Sequence, residues 1–249
     1  MNLSGKIALV TGGTRGIGAA TAIALAKEGA DVAIVGRRVD SEANATRDAI
    51  AQLNRRCQII QADCGNAAEA TRCARETEAK LGAADVLVHA AGGPVNGGLF
   101  DLTLEAWHSA FDVHVNAVFH LARAVIPAMR TKKEGAIILI SSTAGIRGIV
   151  TNIAYQVAKG ALPQFTRALA REFANDNIRV NCVAPGVVRT DFHKTMSEEQ
   201  RKLNLEHRIP LHREGTPEQV ADVILMLVKN DYITGETMTI DGGLTMRIA

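Results

Sequence analysis

"KIALVTGGTRGIGAATAIALAKEGADVAIVGRR", residues 6–38, decides the fold. Residues 6–11 and 31–35 are β-branched and apolar on both parities, the pattern of parallel strands covered on two faces. Residues 17–29 between them carry helical spacing, so the stretch reads strand, glycine loop, helix, strand. Gly12, Gly16 and Gly18 let the loop turn sharply and approach a ligand where a Cβ would clash. The helix N-terminus behind them offers unpaired N–H groups and the positive end of a dipole to a pyrophosphate. Thr14, Arg15 and Ile17 share that loop and join the three glycines as candidate cofactor-binding residues. The spacing is G-x-x-x-G-x-G, and no Gly-Lys-Ser/Thr follows as a P-loop would require.

The alternation continues to the end of the chain. Residues 57–61, 85–90, 136–141, 178–183 and 237–241 read as strands, and 41–54, 67–81, 104–130, 153–174 and 217–229 as helices. Thr216 followed by Pro217 supplies the last helix with an N-cap and a first-turn proline. Seven strands interleaved with helices imply an α/β fold, a doubly wound Rossmann-like sheet covered on both faces. No linker, repeat or change of composition divides the 249 residues, so 1–249 is expected to be a single domain. Residues 187–216 break the rhythm with a long polar insertion, expected to form a substrate lid.

The bulk properties exclude several functions. A net charge of +2 with scattered basic pairs and 4% aromatic residues provides neither a basic stripe nor stacking platforms for nucleic acid. No apolar run is long enough to span a membrane, and the first residues lack the pattern of a signal peptide. Cys57, Cys64, Cys73 and Cys182 show no metal-ligand spacing, so no metal is expected and four free thiols suit a cytoplasmic setting.

The second strand ends in Gly36-Arg37-Arg38, where an NAD-binding fold usually carries an acidic residue for the ribose 2′-hydroxyl. Guanidinium groups suit a 2′-phosphate instead, which favours NADP(H) over NAD(H). Further along, "AYQVAKGAL" sets Tyr155 and Lys159 four apart, on one helical face. A neighbouring ammonium favours the phenolate and so lowers a phenol's pKa from its usual ~10. Upstream, "ILISSTAG" ends a strand with Ser141 and Ser142 at the carboxyl edge of the sheet, where open α/β folds bind ligands.

These motifs, with "APGVVRT" (184–190) and "ITGETMTIDGG" (233–243), resemble the short-chain dehydrogenase/reductase family in its short form, over essentially the whole chain. Within it, the pattern is most similar to 3-oxoacyl-carrier-protein reductases and sugar dehydrogenases. The resemblance implies seven mostly parallel strands, a nicotinamide cofactor, and hydride transfer between that cofactor and a carbonyl or alcohol. It implies that Tyr155 is the general acid, Lys159 lowers its pKa and binds the nicotinamide ribose, and Ser142 holds the substrate oxygen. Asp63 and Cys64 would meet the adenine, Ala91 and Gly92 its ribose, and Pro185, Gly186, Val188 and Thr190 the carboxamide. It also implies pairing through 104–130 and 153–174 into a homodimer or homotetramer.

Two departures from the family's pattern stand out. Its fourth catalytic member is an Asn that holds a water beside the Lys. Counting back from Phe119, or by the family's interval from Ser142, that place falls on His114 and not Asn116. Two readings of His114 stand open: a proton relay titrating near neutrality, or a packing histidine. The second departure is "VHAAGG" (88–93), where His89 and Ala90 replace two asparagines. The second asparagine normally braces the central strands, so another group must do so here.

The expected function is therefore an NADP(H)-dependent oxidoreductase, with a 3-oxoacyl thioester one candidate substrate. Lys133 and Arg171 are candidates to attract an acidic acyl carrier, and Phe192, His193, Met196, Leu203 and Leu205 to line the lid. The competing reading is a cofactor-binding regulatory or scaffolding protein with weakened catalysis.

Overall fold

The computed structural model describes residues 1–190 and 196–246. Seven strands form one sheet: β1 Ile7–Thr11, β2 Asp31–Gly36, β3 Cys57–Gln61, β4 Val86–His89, β5 Gly135–Ile140, β6 Ile178–Pro185 and β7 Thr237–Ile240. Their order is β3-β2-β1-β4-β5-β6-β7, and each of the six pairings is parallel. The chain winds outward from β1 to β3, then returns to lay β4 on the other side of β1. That reversal opens a crevice beyond the carboxyl ends of β1 and β4, where such sheets bind ligands.

Alternating side chains of each strand feed two cores. On one face Ala8, Val10, Val32, Ile34, Val86 and Val88 pack against helices α1 (Gly16–Lys27), α2 (Ser41–Ala51) and α8 (Pro217–Lys229). On the other, Leu9, Val35, Leu87, Ile137 and Leu139 meet α3 (Ala67–Lys80), α5 (Ala117–Lys132) and α6 (Ile153–Phe173). Thr216 caps α8 within a reciprocal capping box with Gln219. Arg179 closes its other end, donating to the Leu227 carbonyl at 2.6 Å and the Val228 carbonyl at 2.5 Å.

The helix expected over 104–130 is interrupted. It runs as α4 (Leu104–Phe111), widens into a π-helical turn over Asp112–Asn116, and resumes as α5. Such widened turns are frequent at functional sites, because they re-aim side chains that a regular helix would hold elsewhere. Here the turn carries His114 inward, 1% exposed, and leaves Asn116 at the surface, donating to Asp112 Oδ1 at 2.8 Å. In the insertion after β6, α7 (Glu198–Leu203) continues into a second π-helical turn, Asn204–Arg208. Phe192 and His193 lie outside the described residues.

Candidate active site

A cleft of about 1720 Å³ runs along the carboxyl edge of the sheet, and all twenty residues expected for cofactor and catalysis line it. Its volume exceeds the ~300–1,000 Å³ of an ordinary small-ligand pocket, which leaves room for a dinucleotide and a second molecule.

Glycines make the nucleotide end possible. A Cβ on Gly12 would lie 2.7 Å from the Ala90 carbonyl carbon, and one on Gly18 would lie 2.1 Å from the Gly12 oxygen. Bare backbone therefore lets β1, β4 and α1 converge, and Arg15 at the N-cap of α1 forms no side-chain cap. The first-turn N–H groups are left for an oxyanion, so the loop fits a dinucleotide pyrophosphate. Thr14 fills the space beside Gly36: a Cβ there would meet its Cγ2 at 2.6 Å. No carboxylate can stand at that position. Arg37 and Arg38 line the cleft beside it, whereas Arg15 is already bound to Asp40 and, at 2.7 Å, to Glu42. At the adenine end, Cys64 hydrogen-bonds Cys73, which with burial pushes the Cys64 thiol up.

The catalytic end is laced to the sheet. Ser142 begins the turn Thr143–Gly145 and its Oγ accepts the Ala144 N–H at 3.1 Å. Gly145 presses that turn onto α6, since a Cβ there would sit 2.6 Å from the Lys159 carbonyl carbon. Ser141 Oγ donates to the Lys159 carbonyl at 2.7 Å, and Lys159 Nζ to the Ile140 carbonyl at 2.7 Å. With strand end and helix locked, the Tyr155 phenol and Ser142 hydroxyl share a hydrogen bond.

The electrostatics differ from the expectation that Lys159 depresses the phenol. Burial dominates and pushes Tyr155 up to about 12, the Ser142 bond opposing it, while burial pulls Lys159 down to about 8. Lys159 Nζ donates to the Ile140 carbonyl and stands 5.7 Å from the Tyr155 ring centroid.

His114 stands edge-on to Tyr155, ring centroids 5.5 Å apart. Its Nε2 lies 3.1 Å from the Gly93 carbonyl, which makes Nε2–H the donor and Nδ1 the bearer of the lone pair. That Nδ1 is buried with no hydrogen-bond partner. Burial, reinforced by the Lys159 charge, holds His114 down to about 2, so it does not titrate near neutrality. Gly92 accommodates the ring: its φ is +146°, and a Cβ there would lie 2.1 Å from His114 Cε1.

His89 takes over the bracing that Ala90 cannot provide. Thr11 Oγ1 accepts the Ala91 N–H at 3.3 Å and donates to His89 Nδ1 at 2.8 Å. His89 Nε2 donates in turn to the Val113 carbonyl, 2.9 Å away in the widened turn. One histidine thus ties β1, β4 and the turn that carries His114.

The sequence reading missed part of the lid. Met196 lines the cleft, but Leu203 and Leu205 do not; Gln200, Asn204 and Arg208 do. Their four-residue spacing was the available signal, eclipsed by the search for apolar positions. Lys133 is bound to Asp176 at 2.5 Å, and both it and Arg171 are exposed.

Comparison with known proteins agrees with this geometry. Residues 12–245 match a family model described as Enoyl-(Acyl carrier protein) reductase. The chain is 35% identical over 244 residues to 3-oxoacyl-(acyl-carrier-protein) reductase FabG of Chlamydia muridarum, covering 97% of this chain and 98% of that one. It is 35% identical over 252 residues to Dehydrogenase/reductase SDR family member 4 of Oryctolagus cuniculus, covering 99% and 96%. Among solved structures, L-sorbose reductase from Gluconobacter frateurii, complexed with NADPH and L-sorbose, superposes with a TM-score of 0.92 at 29% identity over 100% of both chains. The fold, the hydroxyl-phenol-ammonium cluster and these likenesses converge: the chain belongs to the short-chain dehydrogenase/reductase family of oxidoreductases.

Proposed function

We propose that the protein is an NADP(H)-dependent oxidoreductase that interconverts a carbonyl and an alcohol, 3-oxoacyl thioesters being among the candidate substrates. The observation that carries this reading is the Tyr155–Ser142 hydrogen bond held over buried Lys159 at the end of β5. NADP(H), when bound, supplies or accepts the hydride.

The side chains handle the oxygen. Ser142, oriented by the Ala144 N–H, donates to the carbonyl oxygen as negative charge develops there. Tyr155, protonated across the neutral range, delivers the proton. The phenolate left behind is stabilised by the Lys159 ammonium. His114, neutral and with a free Nδ1 lone pair, accepts a hydrogen bond from a water or ammonium on the path that returns the proton. Gly36 beside Thr14, with Arg37 and Arg38 on the wall, supports the 2′-phosphate form of the cofactor. Residues 187–216 act as the lid. An acyl carrier, where one delivers the substrate, meets Arg171.

A homodimer or homotetramer is the proposed assembly, formed through α5 and α6. Four unpaired cysteines suit the cytoplasm, and among the described residues no helix is long and apolar enough to cross a membrane.

The test is oxidation of NADPH and NADH with acetoacetyl thioester and activated ketones, run beside Tyr155→Phe. NADPH-linked turnover that falls by about 10²-fold or more in the variant is expected. NADPH binding without turnover of any ketone would instead favour the regulatory or scaffolding reading.

A further inference from the structure

The lid faces the cleft with a polar stripe. Gln200, Asn204 and Arg208 recur at four-residue intervals along α7 and the π-helical turn that follows, so they lie on one face, and all three line the cleft wall. Two other lid arginines share one carboxylate, and Arg213 donates to Gln219 Oε1 at 3.1 Å. Arg189 and Arg201 converge on Glu214, itself only 7% exposed in its side chain, with N–O separations of 3.4 and 3.0 Å. Arg208 differs. Among the described residues, its one side-chain hydrogen bond runs from Nη1 to Asn204 Oδ1 at 3.3 Å, and no carboxylate stands within ion-pair distance of it.

Asn204 positions this guanidinium without neutralising it. It is 4% exposed, its Oδ1 also accepts from Gln200 Nε2 at 3.4 Å, and its Nδ2 points to Met196 Sδ at 3.5 Å. A guanidinium carries five N–H donors, so most of the fork remains open to the cleft. Acidic residues on the wall have other partners: Glu42 pairs with Arg15, and Asp112 accepts from Asn116. Asn96 and Asn152 add polar surface to the same wall. An acyl tail alone would leave these groups unpaired on lid closure, which is costly.

We propose that Arg208 reads an oxyanion on the substrate: the carbonyl compound reduced or formed here carries a carboxylate or phosphate that docks on the Arg208 fork. This inference rests on the oxidoreductase reading of the cleft. It adds that the substrate is charged at its lid end.

Acetoacetate, 4-oxopentanoate and 5-oxohexanoate, each beside its methyl ester, and dihydroxyacetone phosphate beside dihydroxyacetone, would be assayed with NADPH on wild type, Arg208→Gln and Arg208→Lys. The expected result is a loss of about 10- to 100-fold in kcat/KM for the preferred anion in Arg208→Gln. The uncharged counterpart should change less than about twofold, NADPH affinity should hold, and Arg208→Lys should recover part of the loss. Comparing carboxylates with the phosphate identifies which oxyanion is preferred. Equal losses on charged and uncharged ketones would overturn the proposal, as would weakened NADPH binding, which would put Arg208 on the cofactor. If wild type turns over no ketone, the oxidoreductase reading fails separately. The same anions would then be titrated by calorimetry into the protein–NADPH complex, where binding lost in Arg208→Gln sustains the anion site and its absence refutes it.

Discussion

Lys159 is held in place at a thermodynamic cost. Its ammonium is buried beside the sheet edge, and burial draws its pKa from 10.5 down to about 8. Below pH 8 the folded and unfolded chains both carry the proton, and the fold bears the full desolvation penalty. Between about 8 and 10.5 the unfolded chain binds a proton that the folded chain lacks, so the wild-type fold gains stability as pH rises and the penalty fades. Replacing the group removes the penalty. Lys159→Met is therefore expected to be inactive yet more stable at pH 7, by about 1–3 kcal/mol, the Ile140 carbonyl left without its donor keeping the gain modest. Denaturant unfolding at pH 7 and pH 10 checks this: the advantage should shrink at the higher pH, and a variant less stable at pH 7 would refute it. Spacing set Tyr155 and Lys159 on one helical face and Ser142 at a strand end, and the family resemblance, not spacing, supplied their expected roles. The protonation states were not legible. Burial is a tertiary property: it opposes the expected depression of the phenol, and it bears on the two readings left open for His114 by holding that ring neutral.

At the scale of elements, the proposed choice of cofactor rests on the loop after β2. Arg15 is bound to Asp40 and Glu42 on α2 and its cap, so its charge is largely cancelled before any phosphate arrives. Arg37 and Arg38 form no ion pair among the described residues, although the Arg38 charge also reaches Asp40. Arg37→Ala together with Arg38→Ala should weaken NADPH by about tenfold or more and leave NADH within about twofold, whereas Arg15→Ala should shift the two alike. Fluorescence titration of both nucleotides distinguishes the cases, and equal loss of NADPH and NADH in the double variant would remove the 2′-phosphate assignment. The strands and most helix bounds were readable because apolar runs and 3.6-residue spacing are local signals. The π-helical turn at Asp112–Asn116 was not, since regular spacing over 104–130 hides a single widened turn. Its cause is tertiary as well: His89 holds the Val113 carbonyl, and Gly92 makes room for the inward His114 ring.

Across the whole molecule, several apolar side chains stay exposed, Phe100 and Val150 among them, and the two cores also leave an apolar groove on their outer side. Phe119, Ile126, Phe165, Leu169 and Phe173 line a groove of about 740 Å³ between α5 and α6, and Phe119 is 47% exposed with Arg123 stacked over its ring at 5.3 Å. A second copy related by a two-fold axis would set α5 and α6 against themselves, the self-complementary contact typical of closed homo-oligomers. These helices also carry the proposed catalytic groups, Tyr155 and Lys159 at the start of α6 and His114 just before α5. Burying their outer faces would stiffen the scaffold from which the site projects. Phe119→Arg and Phe165→Arg each place a further cation in a groove that already holds Arg123 and Arg130, where an unpaired buried charge is strongly unfavourable. Light scattering is expected to find a dimer or tetramer for wild type and a smaller species for either variant, with far-ultraviolet circular dichroism unchanged. Falling NADPH-linked turnover on dilution of the variant, but not of wild type, would tie assembly to catalysis. A wild type that is monomeric at micromolar concentration would show instead that the groove serves the free chain alone.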